Sequence, residues 1–240
     1  MFLNVKSVSK HFGGVKAVNN ASFHVDEKEI VGIIGPNGAG KTTLFNLISG
    51  NFPVTSGEII FKGENITNQK PYHLCKKGIG RTYQVVKPFG NISVLDNVIV
   101  GAFNKISNKK EAEEYSLEIL KKVGLYHLKD YTGKSLTLAN KKRLEVAKAL
   151  ATQPEILLLD EVMAGLNPTE VKEVLPMIRS LRDDGITIVL IEHIMEVVMT
   201  ICDRIVVINH GEKIAEGTAT EVANNQSVIE AYLGGEVTNA

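Results

Sequence analysis

The chain has no surplus of charge of either sign: 27 lysines and arginines stand against 27 aspartates and glutamates in 240 residues. That balance removes the usual basis for sequence-independent nucleic-acid binding, which leans on excess positive charge, so no nucleic-acid partner is expected. Cysteine is nearly absent. Cys75 and Cys202 are far apart in the sequence, no disulfide framework is implied, and free cytosolic thiols are expected. Long hydrophobic runs are missing as well. The longest, such as "ITIVLI" at Ile186–Ile191, reach about six residues, against the ~20 that a membrane-spanning helix needs. No N-terminal stretch joins a basic region to an apolar run of signal-peptide length. If the protein works at a membrane, it is expected to do so as a peripheral subunit. Internal repeats and low-complexity tracts are also lacking.

What is present points to a packed α/β chain. Hydrophobic residues make up 44% and charged residues 22%, enough for a full core. Two strands open the sequence, over 2–8 and 17–25, and "EIVGIIG" then reads as a buried strand. "PNGAG" breaks it, and "KTTLFNLISG" reads as a helix ending at Gly50. "GEIIFKG" is a further strand. Between about 85 and 150 the pattern turns helical. Ala112, Tyr115, Ile119, Leu120 and Val123 recur at helical spacing, and Gly124 is placed to cap that helix. Strand and helix alternate again after Pro154: "EILLLD" a strand, 168–181 a helix, "ITIVLIE" a strand, 193–201 a helix, "RIVVIN" a strand turning at Gly211 into "KIAEG", and a last helix through Tyr232 and Leu233. Alternation of this kind builds a mostly parallel sheet with covered faces.

"GPNGAGKTT" fits G-x-x-x-x-G-K-[ST] between a strand and a helix. The residues are Gly35, Pro36, Asn37, Gly38, Ala39, Gly40, Lys41, Thr42 and Thr43. Glycines let backbone N–H groups turn toward phosphate oxygens. The helix that follows aims its positive N-terminal end at the same anion. Lys41 is placed for the β- and γ-phosphates of ATP, and the Thr42 hydroxyl for Mg²⁺. "ILLLDE" then supplies a buried strand that ends in two acids. Asp160 suits the metal's water shell, and Glu161 suits orienting or deprotonating an attacking water. His193 follows the next strand, where it is placed to contact a γ-phosphate. A lone histidine there is also compatible with a capping role. Gln84, in "GIGRTYQ", reads as a polar residue at a strand end.

The order of these pieces, Gly35–Thr43, Gln84, Leu136–Asn140, Ile156–Glu161 and His193, resembles the nucleotide-binding subunit of ABC transporters over nearly the whole chain. The resemblance implies an α/β P-loop NTPase core with a parallel sheet, an N-terminal antiparallel β subdomain and an inserted helical subdomain. Residues 1–84 and 151–240 would form the core, and 85–150 the helical subdomain. It further implies that Gln84 is the Q-loop residue, acting in catalysis and at Mg²⁺, and that His193 is the switch histidine. "AGLN" at Ala164–Asn167 matches the D-loop. Phe12 stands where an aromatic stacks on adenine. "TQPEILLLDEVMAGLNPTE", "IVLIEHIMEVVMTICDRIVVINHGEKIAEGT" and "VIEAYLGG" look like an ATP-binding subunit of branched-chain amino-acid importers. Urea or amide importers and the lipopolysaccharide-export ATPase are similar in these segments. By that resemblance the chain hydrolyses ATP on the cytoplasmic face of the inner membrane. It would pair head to tail with a second ATP-binding subunit, with ATP sandwiched between them, and drive integral membrane permease subunits. An ATP-binding assembly subunit with little turnover is the competing reading.

The family's LSGGQ signature falls on Leu136-Thr137-Leu138-Ala139-Asn140. Thr137 keeps a hydroxyl for a phosphate oxygen. Leu138 and Ala139 replace two glycines, and at a positive φ an alanine costs about 1 kcal/mol or more. Ala139→Gly is therefore expected to raise ATPase turnover in the assembled complex. Val162 stands where proline usually follows the catalytic acid. Just beyond the signature, Leu144, Ala147, Leu150 and Ala151 share one helical face, and Lys141, Lys142, Arg143 and Lys148 are expected to form a charged surface.

Overall fold

The computed structural model describes residues 1–233. Its elements in chain order are β1 (Leu3–Phe12), β2 (Val15–Val25), β3 (Ile30–Ile34), α1 (Lys41–Ile48), β4 (Ser56–Phe61), β5 (Glu64–Asn65), α2 (Pro71–Lys76), β6 (Ile79–Arg81), α3 (Val94–Ala102), α4 (Lys109–Lys122), α5 (Leu138–Ala151), β7 (Ile156–Asp160), α6 (Pro168–Asp183), β8 (Thr187–Ile191), α7 (Met195–Ile201), β9 (Arg204–Asn209), β10 (Glu212–Gly217), α8 (Ala219–Ala223) and α9 (Gln226–Leu233). The chain divides into two compact units, Met1–Leu74 with Thr187–Ala240, and Cys75–Ile186.

The first unit holds an antiparallel sheet in the order β2-β1-β4-β5. It also holds a parallel group in which β3 pairs with both β8 and β9. β10 adds to β9 as a hairpin. That hairpin turns at His210 and Gly211, both with positive φ, and β4 turns into β5 in the same way at Lys62 and Gly63. Two consecutive positive-φ residues match the right-handed twist of the flanking strands, which is why short hairpins favour them. Every residue of β3 and of β8 is buried. Strands covered on both faces read as continuous apolar runs, as "IVGII" and "TIVLI" do.

The second unit pairs β6 with β7 in parallel and packs α3 against α4 and α5. Each helix from α3 to α6 starts on a side-chain cap: Ser93, Asn108, Thr137 and Asn167. The cap oxygen takes up one of the N–H groups that a first turn leaves unpaired. In α4, Ala112, Ile119 and Leu120 are buried, as their spacing requires, and Gly124 takes φ 75° just past the end.

The sequence misplaces several boundaries. β1 runs on to Phe12 because Ser7 takes φ 46° and the register shifts between Val5 and Val8, which interrupts the alternation the reading relied on. α7 begins at Met195 and not at His193, since Ile194 is still extended. The strand before Gln84 ends at Arg81, so Gln84 lies in the loop beyond it. Gly234 and Gly235 of "VIEAYLGG" fall outside the described residues. No helix among the described residues is long and apolar enough to cross a membrane. Both cysteines are free.

Gly32 in β3 shows how tightly α7 seats. A Cβ built there would lie 2.8 Å from Cys202 Sγ and 3.1 Å from Val198 Cγ1. Gly32→Ala should cost about 1–3 kcal/mol in urea unfolding, the usual penalty for overpacking. Cys202→Ala in the same chain should restore most of it. An unchanged unfolding midpoint would contradict this packing.

Candidate functional site

In the first unit the phosphate loop leaves β3 and enters α1. Gly35 has φ 152°, and a Cβ there would lie 1.9 Å from the Ile208 carbonyl oxygen. Gly40 has φ 103°, and its Cβ would lie 2.2 Å from the Ala17 carbonyl oxygen. No other L-residue fits either position without moving backbone. At Gly38, φ 80°, a Cβ would meet nothing within 4 Å, so that stretch of loop backbone is open to a ligand. Ala39 is buried and Asn37 is exposed. Lys41 is 5% exposed, and its ammonium donates to the carbonyls of Gly35 (2.7 Å) and Pro36 (2.9 Å). Gly40 caps α1 without a side-chain bond. The first-turn N–H groups at Lys41, Thr42 and Thr43 are thus not claimed by a capping side chain, the arrangement that favours an anion.

Three other residues of this unit bear on the site. Phe12 is exposed, edge-on to Phe52 with centroids 5.4 Å apart, and carries the Lys10 ammonium 5.0 Å from its ring. His193 is exposed in the turn between β8 and α7. Tyr232, on α9, has its hydroxyl pKa pushed up by burial, and the nearby backbone of Gly35 opposes the push.

In the second unit β7 delivers two acids to its C-terminal end. Asp160 is 1% exposed. One carboxylate oxygen accepts from Arg81 Nη2 at 3.0 Å. Its other oxygen, Oδ1, is buried without a hydrogen-bond partner among the described residues. Burial raises the Asp160 pKa, and the Arg81 guanidinium opposes that rise. An orphaned buried carboxylate oxygen fits a divalent cation or its water shell. Glu161 takes φ 51°, a left-handed conformation that costs a non-glycine residue about 1–2 kcal/mol. Its Oε2 accepts from Gln84 Nε2 at 2.6 Å, and its backbone carbonyl accepts from Lys142 Nζ at 2.7 Å. Gln84 and Glu161, each a predicted site residue, are therefore in direct contact.

The signature stretch is a well-formed helix start. Thr137 caps α5, its Oγ1 accepting from the Asn140 N–H at 3.3 Å, and its own hydroxyl proton remains available to donate. Leu138 is 46% exposed, with its Cδ2 close over Gly165 of "AGLN". Ala139 lies inside the helix and has no positive φ. The expected backbone strain at Ala139 is therefore absent, and with it the reason given for a gain in turnover on Ala139→Gly. Val162 is buried.

Two residues at this strand end escaped the sequence reading. Lys142, expected on a charged surface, is 6% exposed and turned inward. A lysine among lysines carries no signal of burial; only its place five residues past the Thr137 cap distinguishes it. Arg81 sits within the quoted "GIGRTYQ", and its signal is a cation at the end of a short strand. Ala139→Gly should now lower stability by about 0.5–1 kcal/mol, the usual cost of glycine in a helix, read as a shift in the urea midpoint. A stabilised Ala139→Gly chain would contradict the helical placement.

Comparison with known proteins agrees with this geometry. The ABC transporter family model matches residues 18–164, and the model of the branched-chain amino acid ATP-binding cassette transporter matches residues 212–238. The chain is 38% identical to the high-affinity branched-chain amino acid transport ATP-binding protein BraF of Pseudomonas aeruginosa. It is 39% identical to the corresponding LivG of Salmonella typhimurium, and each match covers 97% of both chains. It is 34% identical to the lipopolysaccharide export ATP-binding protein LptB of Escherichia coli, again over 97% of each. Among solved structures, an ATP-binding cassette of an ABC transporter superposes with a TM-score of 0.90 at 32% identity, over 96% of this chain and 98% of that one. A dimeric bacterial ABC transporter cassette superposes at 0.83 and 26% identity, over 90% and 98%. The α/β fold, the phosphate loop and the two acids ending β7 thus belong to a member of the ABC transporter ATP-binding family.

Proposed function

We propose that this ABC ATPase powers the import of branched-chain or closely related hydrophobic amino acids. It would do so from the cytoplasmic face of the membrane, with integral permease subunits and a second ATP-binding subunit. The observation that carries the substrate class is the match of residues 212–238 to the branched-chain amino acid cassette model. Those residues include β10, α8 and α9, and α9 brings Tyr232 near the first glycine of the phosphate loop.

The residue roles follow from the chemistry of each group. The loop N–H groups from Gly35 to Thr43 and the Lys41 ammonium neutralise the β- and γ-phosphates of ATP. Phe12 offers a ring to adenine. The Thr42 hydroxyl, Gln84 and Asp160 hold Mg²⁺, which, when bound, draws charge off the phosphates. Glu161, steadied by Gln84, orients water and takes its proton. His193 reaches the γ-phosphate. Thr137 and the first turn around Ala139 present donors to the nucleotide of a second subunit.

The test is Glu161→Gln in the complex reconstituted with its membrane subunits in proteoliposomes. ATP turnover and uptake of labelled leucine should both fall by about 10²–10⁴, with MgATP affinity within about twofold of wild type. Undiminished hydrolysis would overturn the role of Glu161. Coupled uptake of urea but not of leucine, isoleucine or valine would overturn the substrate class.

A further inference from the structure

A buried lysine is costly unless its ammonium is fully engaged. Lys142 is 6% exposed, and its Nζ donates to the backbone carbonyl of Glu161 at 2.7 Å and toward that of Gln84 at 3.4 Å. The side chains of those same two residues are joined at 2.6 Å. One ammonium thus grips the main chains of both members of a pair whose side chains meet. The grip falls where it is needed, because Glu161 holds φ 51° and its carbonyl direction is set by that unfavourable backbone conformation. Lys142 also belongs to α5, which starts at the Thr137 cap. Just over one helical turn separates the cap from Lys142, so the two move as one rigid piece.

We infer that Lys142 is a positioning residue for hydrolysis: by holding the Glu161 and Gln84 carbonyls it fixes the aim of the Glu161 carboxylate and ties it to the start of α5. The inference rests on the reading that Glu161 acts on the attacking water. Under that reading, any shift of the signature turn on engaging a nucleotide reaches Glu161 through a single side chain.

The distinguishing property is a split between binding and chemistry. In the full-length chain, Lys142→Met keeps the apolar stem and removes the donors. It should lower kcat by about tenfold to a hundredfold, the scale on which small misplacements act. MgATP affinity, read with a fluorescent ATP analogue, should stay within about twofold. Lys142→Arg, which keeps charge and donors, should recover most of the rate. Combined with Glu161→Gln, Lys142→Met should lower the residual single-turnover rate no further, because Lys142 acts only through Glu161. A wild-type kcat in Lys142→Met overturns the inference and leaves the catalytic role of Glu161 standing. A multiplicative further loss in the double variant also overturns it, because Lys142 would then act independently of Glu161. A wild-type kcat in Glu161→Gln alone would instead sink the underlying reading. If Lys142→Met loses ATP binding, the same criteria pass to Lys142→Leu, which is shorter and likewise apolar and without donors.

Discussion

Two adjacent carboxylates at the end of a fully buried strand set the terms for the second unit. A buried charge is tolerated only when it is partnered, and the two acids are partnered differently. Asp160 meets a guanidinium on one oxygen, and its Oδ1 has no hydrogen-bond partner among the described residues. Glu161 is bent into a left-handed backbone and held by an amide on its carboxylate and an ammonium on its carbonyl. Arg81 and Gln84 come from one short segment and Lys142 from another, 58 residues beyond Gln84, and the acids draw all three to one strand end. The difference in partners fits the two acids to different tasks: the orphaned oxygen suits a cation, and the steadied carboxylate suits water.

The first unit solves the converse problem, how to receive negative charge without keeping a fixed anion. Backbone does most of the work. Gly35 and Gly40 let the loop press against the carbonyls of Ile208 and Ala17, closer than any side chain allows, and Lys41 is held within the loop by two of its carbonyls. The C-terminal segment reaches the same loop, through Tyr232 and Gly35. The part of the chain matched by the branched-chain amino acid cassette model therefore lies near the part matched by the wider family.

Most of this was legible where chemistry and spacing coincide. The phosphate loop lies between a five-residue apolar strand and a helix, and β7 is an unbroken apolar run ending in acid. The helix α4 was readable from Ala112, Ile119 and Leu120, because burial on one face imposes the 3.6-residue period. Ser7 hid the true end of β1, since a bulge breaks the alternation that marks a strand. Lys142 was hidden for a deeper reason. Its burial is dictated by two carbonyls, one 58 residues before it and one 19 after, and nothing local to "NKKRL" records them. Ala139 shows the opposite error: a departure from a glycine-rich pattern suggested strain, yet the helix begins early enough to give it ordinary backbone.

The division of labour between the two acids is the central claim, and metal affinity tests it most directly. Mn²⁺ binding to the full chain with ATP can be titrated by electron paramagnetic resonance for wild type, Asp160→Asn and Glu161→Gln. The account predicts that Asp160→Asn weakens Mn²⁺ binding by about tenfold or more, on the scale of a lost charge-assisted contact, while Glu161→Gln leaves it within about twofold. Equal loss in both variants, or none in Asp160→Asn, would contradict it.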